Sequence, residues 1–138
     1  MNNKVISLKR EIKDDYNYRE SLKTLRTNIQ FCGDDICTIV VTSAMPNEGK
    51  STVTMDLARS FSESGKRVLL IDTDMRKSVY VGRLRAVASD GREIYGLSHF
   101  LSGQKKLEDV LYGTTIPGLF MIFAFLCAFI SSVYASSL

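Results

Sequence analysis

The sequence predicts an α/β fold in which a parallel β-sheet is flanked by helices, and three adjoining segments carry that prediction. Residues 38–42 (Thr-Ile-Val-Val-Thr) are β-branched throughout, as suits a central strand buried on both faces. Residues 51–64 place Val53, Leu57, Ala58 and Phe61 at helical spacing and stop at Gly65, a residue suited to ending a helix. Residues 68–72 (Val-Leu-Leu-Ile-Asp) form a second apolar strand. Strand, loop, helix and strand in that order should close into a right-handed parallel crossover, the building block of a doubly wound sheet.

The remaining elements follow in chain order. Tyr18, Leu22, Leu25 and Ile29 recur at spacings of three and four, which predicts a helix over 18–31 with one apolar face. Glu20, Lys23 and Arg26 make a second, charged stripe on that helix. Gly33, Asp34 and Asp35 interrupt the pattern before the first strand. Beyond Asp72 lies a long polar stretch containing Gly82, Gly91 and Gly96. Short helices at 97–101 and 107–111 and a strand over 119–124 are expected after it.

The chain has 138 residues, 45% hydrophobic and 24% charged, which suits one globular domain and excludes disordered and low-complexity classes. Its net charge of +3 comes from 18 basic and 15 acidic residues without a basic stripe, so no nucleic-acid partner is expected. Three cysteines, Cys32, Cys37 and Cys127, and no apolar leader at the amino terminus point to a reduced, cytoplasmic protein. Cys32 and Cys37 have no further Cys or His nearby to complete a metal site, and are expected to be partly buried thiols. His99, the only histidine, is expected to be surface or half-buried and receives no catalytic role.

Residues 44–51 (Ala-Met-Pro-Asn-Glu-Gly-Lys-Ser) match a phosphate-binding loop, a Gly followed by four residues and Gly-Lys-Ser, except that Ala44 stands at the first Gly. A loop of this length turns successive backbone N–H groups onto phosphate oxygens, and the helix after it adds its positive end. Pro46, Asn47, Glu48 and Gly49 therefore form the cradle for nucleotide phosphates, with Gly49 permitting close backbone approach. Lys50 is placed to bridge the β- and γ-phosphates, and the Ser51 hydroxyl to ligate Mg²⁺. Thr52, in the first helical turn, is in reach of the α-phosphate. A turn that merely precedes a helix would show the same Gly-Lys-Ser. The β-branched run before it and the amphipathic run after it favour the phosphate reading. Asp72 and Asp74 end the second strand, where open α/β sheets place their ligands. Two such carboxylates can hold hydrated Mg²⁺ or accept the proton of an attacking hydroxyl. Asp74 has the alternative of capping the turn that follows. Arg76 and Lys77 suit either transferred phosphate or solvent.

Residues 43–52 together with 69–77 (Leu-Leu-Ile-Asp-Thr-Asp-Met-Arg-Lys) resemble the bacterial tyrosine kinases of capsule and exopolysaccharide synthesis. The resemblance runs over 18–124, because 22–31 and 96–103 (Gly-Leu-Ser-His-Phe-Leu-Ser-Gly) also look like segments of that family. It implies a P-loop NTPase-type domain that transfers the γ-phosphate of ATP to protein tyrosines, mainly on neighbouring copies. Lys50, Asp72 and Asp74 would be catalytic, and Ser51, Asp72 and Asp74 would hold Mg²⁺. It also implies a membrane-spanning activator as partner, membrane association through it, and a homo-oligomer assembled through Glu20, Lys23 and Arg26. A partition-type ATPase of similar fold is a further alternative, although such ATPases usually carry an additional loop Lys where Ala44 and Met45 stand.

The resemblance further implies a later strand ending in a third Asp and a tyrosine-rich carboxy-terminal tail, neither of which this sequence contains. An incomplete sheet, and an ATP-binding regulatory or remnant module without phosphotransfer, are the corresponding alternatives. The chain is accordingly divided into an amino-terminal segment (1–17), a partial P-loop domain (18–124) and an atypical tail (125–138). No charged residue occurs over 113–138. The tail is expected to be either frameshift-like or membrane-inserting, since residues 119–138 have the length of a bilayer span.

Overall fold

The computed structural model describes residues 5–8, 15–33, 35–75 and 94–124. In chain order the elements are β1 (Val5–Ile6), α1 (Tyr16–Phe31), α2 (Lys50–Glu63), β2 (Val68–Ile71), α3 (Leu97–Leu101), α4 (Leu107–Val110), β3 (Tyr112–Thr114) and β4 (Leu119–Ile122). The expected tail, and Arg76 and Lys77, lie outside the described residues.

Four strands make one sheet in the order β1-β3-β4-β2. β2 pairs with β4 in parallel, β1 with β3 in parallel, and β3 with β4 antiparallel, so the sheet is mixed. Leu69 stands beside Phe120 and Leu70 beside Met121. The α/β class read from the sequence holds, with one antiparallel pair added.

Residues 38–42 are not a strand, contrary to expectation, and Val40 is 85% exposed. The reason lies in pairing. β4 already has β2 on one edge and β3 on the other, so no interior place in the sheet receives this segment. A β-branched run fits a pleated, covered surface but does not supply its own neighbours. The crossover expected between 38–42 and 68–72 is therefore absent, and the parallel partner of β2 is β4. Val53, expected to face inward, is exposed. Cys32, at the end of α1, and Cys37, expected to be partly buried, are exposed.

Helix α1 begins two residues before the expected start, where the Asp15 side chain accepts a hydrogen bond from the Asn17 N–H at 2.9 Å and caps the helix. Of its expected apolar stripe only Leu22 is buried, and Leu25 is exposed. The narrow stripe reflects what α1 packs on, a single helix, α2, rather than a sheet.

Helix α2 lies between α1 and the sheet. Met55 and Ala58 face the core with Ile6, Leu70, Tyr112, Leu119, Met121 and Phe123. Three polar residues of α2 are buried as well, and each has a partner. Asp56 accepts from Tyr18 Oη at 2.8 Å, Ser60 accepts from Arg26 Nη1 through its carbonyl at 2.7 Å and its hydroxyl at 3.1 Å, and the Ser62 hydroxyl donates to the Pro117 carbonyl.

The short helices appear as expected, although α4 ends at Val110. α3 docks on the end of β4, where the Leu97 and Ser98 N–H groups donate to the carbonyls of Phe123 (2.6 Å) and Ala124 (3.2 Å). The Tyr95 N–H donates to the Tyr112 hydroxyl at 2.8 Å, which anchors the approach to α3. His99 is half-buried and its Nδ1 accepts from the Gly96 N–H at 3.2 Å. Residues 119–122 form β4, not the start of a membrane span, and no helix among the described residues is long and apolar enough to cross a membrane.

Two substitutions measure this division between core and exposed segment. Phe123→Ala, at a fully buried position, should cost about 3–5 kcal/mol in urea denaturation. Val40→Ser should change stability by less than about 0.5 kcal/mol. A cost above about 2 kcal/mol for Val40→Ser would instead place 38–42 inside the sheet.

Candidate functional site

The loop before α2 is held by its own side chains. Ser43 Oγ donates to the Met45 carbonyl at 3.0 Å, and the Met45 N–H donates to the Glu48 carboxylate at 3.2 Å. Asn47 (φ 64°) and Gly49 (φ 85°) both adopt left-handed backbone conformations. Asn tolerates that region and Gly adopts it at no steric cost. Backbone turned this way points neighbouring N–H groups into one concavity, the arrangement that binds anions.

Gly49 is also the N-cap of α2 and makes no side-chain capping bond. The first N–H groups of a helix have no acceptor within the helix, so those of residues 50–52 are directed out of its end. A Cβ built on Gly49 would meet nothing within 4 Å, so space opens in front of the cap. Glycine is required here by the left-handed φ rather than by a protein neighbour. Lys50, Ser51 and Thr52 occupy the first turn and are half-buried, whereas Pro46, Asn47 and Glu48 are exposed. An open, positively polarised helix end with a lysine on its first turn fits a polyphosphate.

Asp72 sits at the tip of β2 and is 7% exposed. Its N–H donates to the Ile122 carbonyl at 2.9 Å, which locks the tip of β2 to β4. Its carboxylate accepts the Asp74 N–H at 3.0 Å, so Asp72 rather than Asp74 caps the turn after the strand. Asp74 is exposed.

The direction of α2 places the two halves of the site toward the same end of the sheet. Ser62, near the carboxyl end of α2, touches Pro117 just before β4, and the Val68 N–H donates to the Gly118 carbonyl at 2.9 Å. The carboxyl end of α2 therefore lies at the starting ends of β2 and β4. Its amino end, with Gly49 to Thr52, points toward the finishing ends, where Asp72 stands. Among the described residues no group of three or more His, Cys, Asp or Glu side chains could hold a metal alone. One hydroxyl and two carboxylates are hard oxygen donors, a set that suits Mg²⁺, which keeps several waters and shares its sphere with phosphate oxygens.

The charged stripe of α1 divides. Lys23 Nζ and Glu20 Oε1 pair at 2.7 Å on the exposed surface. Arg26 turns inward to Ser60. Sequence reasoning missed two contacts: the Glu48 carboxylate bracing the loop, and Asp56 beneath Tyr18. Asp56 carried a signal, a charged residue on the buried side of an amphipathic helix.

The chain matches the family model described as the CobQ/CobB/MinD/ParA nucleotide binding domain over residues 39–117. It is 43% identical over 103 residues to the tyrosine-protein kinase CpsD of Streptococcus pneumoniae, covering 75% of this chain and 44% of that protein. It is 50% identical over 60 residues to the tyrosine-protein kinase YwqD of Bacillus subtilis, covering 42% and 25%. Among solved structures, the BceF tyrosine kinase domain superposes with a TM-score of 0.66 at 38% identity, covering 84% of this chain and 45% of that one. The kinase domain of the Escherichia coli tyrosine kinase ETK superposes at 0.64 with 28% identity, covering 83% and 48%. The chain spans less than half the length of these relatives. With a family model matched over more than half its residues, the chain belongs to the CobQ/CobB/MinD/ParA nucleotide-binding domain family, and the relatives it is similar to include bacterial tyrosine kinases.

Proposed function

We propose that this chain forms the ATP-binding portion of a protein-tyrosine kinase that acts in capsular or exopolysaccharide synthesis. The observation that carries the proposal is the left-handed Gly49 opening α2, with Lys50 and Ser51 on the first turn and Asp72 toward the same end of the layer. The 43% identity to a tyrosine-protein kinase supports the choice among phosphate-binding activities.

In this reading the N–H groups of residues 47–52 surround the phosphates of ATP, and Lys50 neutralises charge on the β- and γ-phosphates. Ser51, Asp72 and Asp74 hold Mg²⁺, which when bound offsets the charge that builds on the departing diphosphate. Asp72 is fixed by its backbone bond to Ile122 and its turn with Asp74, so a carboxylate is in place to accept the phenolic proton of a substrate tyrosine. The partners proposed are a membrane-spanning activator, through which a cytoplasmic chain gains its membrane association, and further copies of the chain. Glu20 and Lys23 present an exposed face of α1 for such copies, whereas Arg26 serves the contact with α2.

A second reading, an ATP-binding regulatory module without phosphotransfer, is favoured by one observation: the segment leading into the loop, 38–42, is exposed instead of anchoring the loop in the sheet.

Calorimetry with Mg²⁺-ATP tests the shared premise. Lys50→Ala should weaken binding at least about tenfold, the loss of one charge-assisted hydrogen bond of about 1.5–3 kcal/mol. Unchanged binding would rule out the phosphate-loop assignment. Asp72→Asn retains an oxygen to accept the Asp74 N–H, so it should fold and bind ATP while lowering phosphotyrosine formation at least about a hundredfold. ATP binding by the unmodified chain with no phosphotyrosine product would select the second reading.

A further inference from the structure

Tyr18 is the third residue of α1, and its hydroxyl donates at 2.8 Å to Asp56, a carboxylate that is 2% exposed on the helix carrying the phosphate loop. Eight residues further along α1, Arg26 donates to Ser60. Leu22, buried between the two, completes the contact. α1 is thus clasped to α2 at two polar points, and the Tyr18 point lies in the first turn. That turn is secured by a capping bond from the Asn17 N–H to the Asp15 carboxylate, and helix ends of this kind open at little cost.

We propose that Tyr18 is a phosphate-accepting tyrosine whose modification releases the amino-terminal half of α1 from α2. This rests on the tyrosine-kinase reading. A second copy of the chain transfers the γ-phosphoryl group of its ATP to Tyr18 Oη while the first turn is open. The new Oη–P bond forms as the bond from the γ-phosphorus to the β,γ-bridging oxygen breaks, ADP leaves, and the phenolic proton passes to a carboxylate of the transferring copy. The product cannot return to its place. Its hydroxyl hydrogen, the donor to Asp56, is gone, and close to two negative charges face a buried carboxylate. The Arg26–Ser60 contact is untouched, so α1 splays from its amino end and stays tethered at the other. Tyr112 is fully buried and does not compete as an acceptor.

Incubating the full chain with Mg²⁺-ATP and locating phosphotyrosine by tandem mass spectrometry should find it at Tyr18. Phosphotyrosine elsewhere with Tyr18 unmodified overturns the proposal and leaves the kinase reading standing; none at any position overturns both. The release is tested separately with phosphotyrosine incorporated at position 18 during translation. Amide exchange over Tyr16–Leu22 should accelerate at least about tenfold relative to the unmodified chain, with residues 26–31 changing far less. The Tyr18→Phe variant, which loses a hydrogen bond without adding charge, should accelerate by no more than about threefold. Equal exchange in the phosphorylated and unmodified chains overturns the release.

Discussion

Helix α2 is covered on two sides, by α1 and by the sheet, and a helix so covered must find partners for whatever polar groups it buries. It buries three: Asp56, Ser60 and Ser62. Two of the partners fix one element and the third fixes another. Tyr18 and Arg26 set α1 along one side of α2, and the Pro117 carbonyl sets the turn before β4 against its end. Hydrophobic packing alone is non-directional, so these polar contacts are what fix the orientation of the elements beside α2.

The site inherits this arrangement. Because the end of α2 at Ser62 is pinned near the start of β4, its other end and the loop in front of it point toward the tip of β2. There the bond from the Asp72 N–H to Ile122 holds the carboxylate-bearing turn against the sheet. The loop itself depends on two left-handed residues, Asn47 and Gly49, and on the brace between Glu48 and Met45. Loop and acidic turn are therefore oriented toward the same end of the layer by one helix.

The outer side of the assembly is less covered. Leu69 and Phe120 are cross-strand partners on the sheet face opposite Met55 and Ala58, and both are exposed, as are Ile39 and Val40. A doubly wound sheet carries helices on both faces; among the described residues only one face has such a cover. β-branched and aromatic side chains left in this way are the ones that associate with other surfaces.

The sequence by itself determined the local elements and the chemistry of the loop. The helices of α1 and α2, the strands β2 and β4, the short helices after residue 96 and the Gly-Lys-Ser loop were all legible, because apolar periodicity, a left-handed glycine and a capping residue act within a few positions of one another. Tertiary structure alone decided the rest. Whether 38–42 became a strand depended on pairing, and both edges of the interior strand β4 are taken, by β2 and β3. Whether Arg26 belonged to an exposed stripe with Glu20 and Lys23 depended on Ser60, thirty-four residues away, which drew it inward. β1 and β3 are too short to show a period and owe their existence to pairing. Strand pairing and buried hydrogen bonds are long-range contacts, and no periodicity in the chain records which partner will be there.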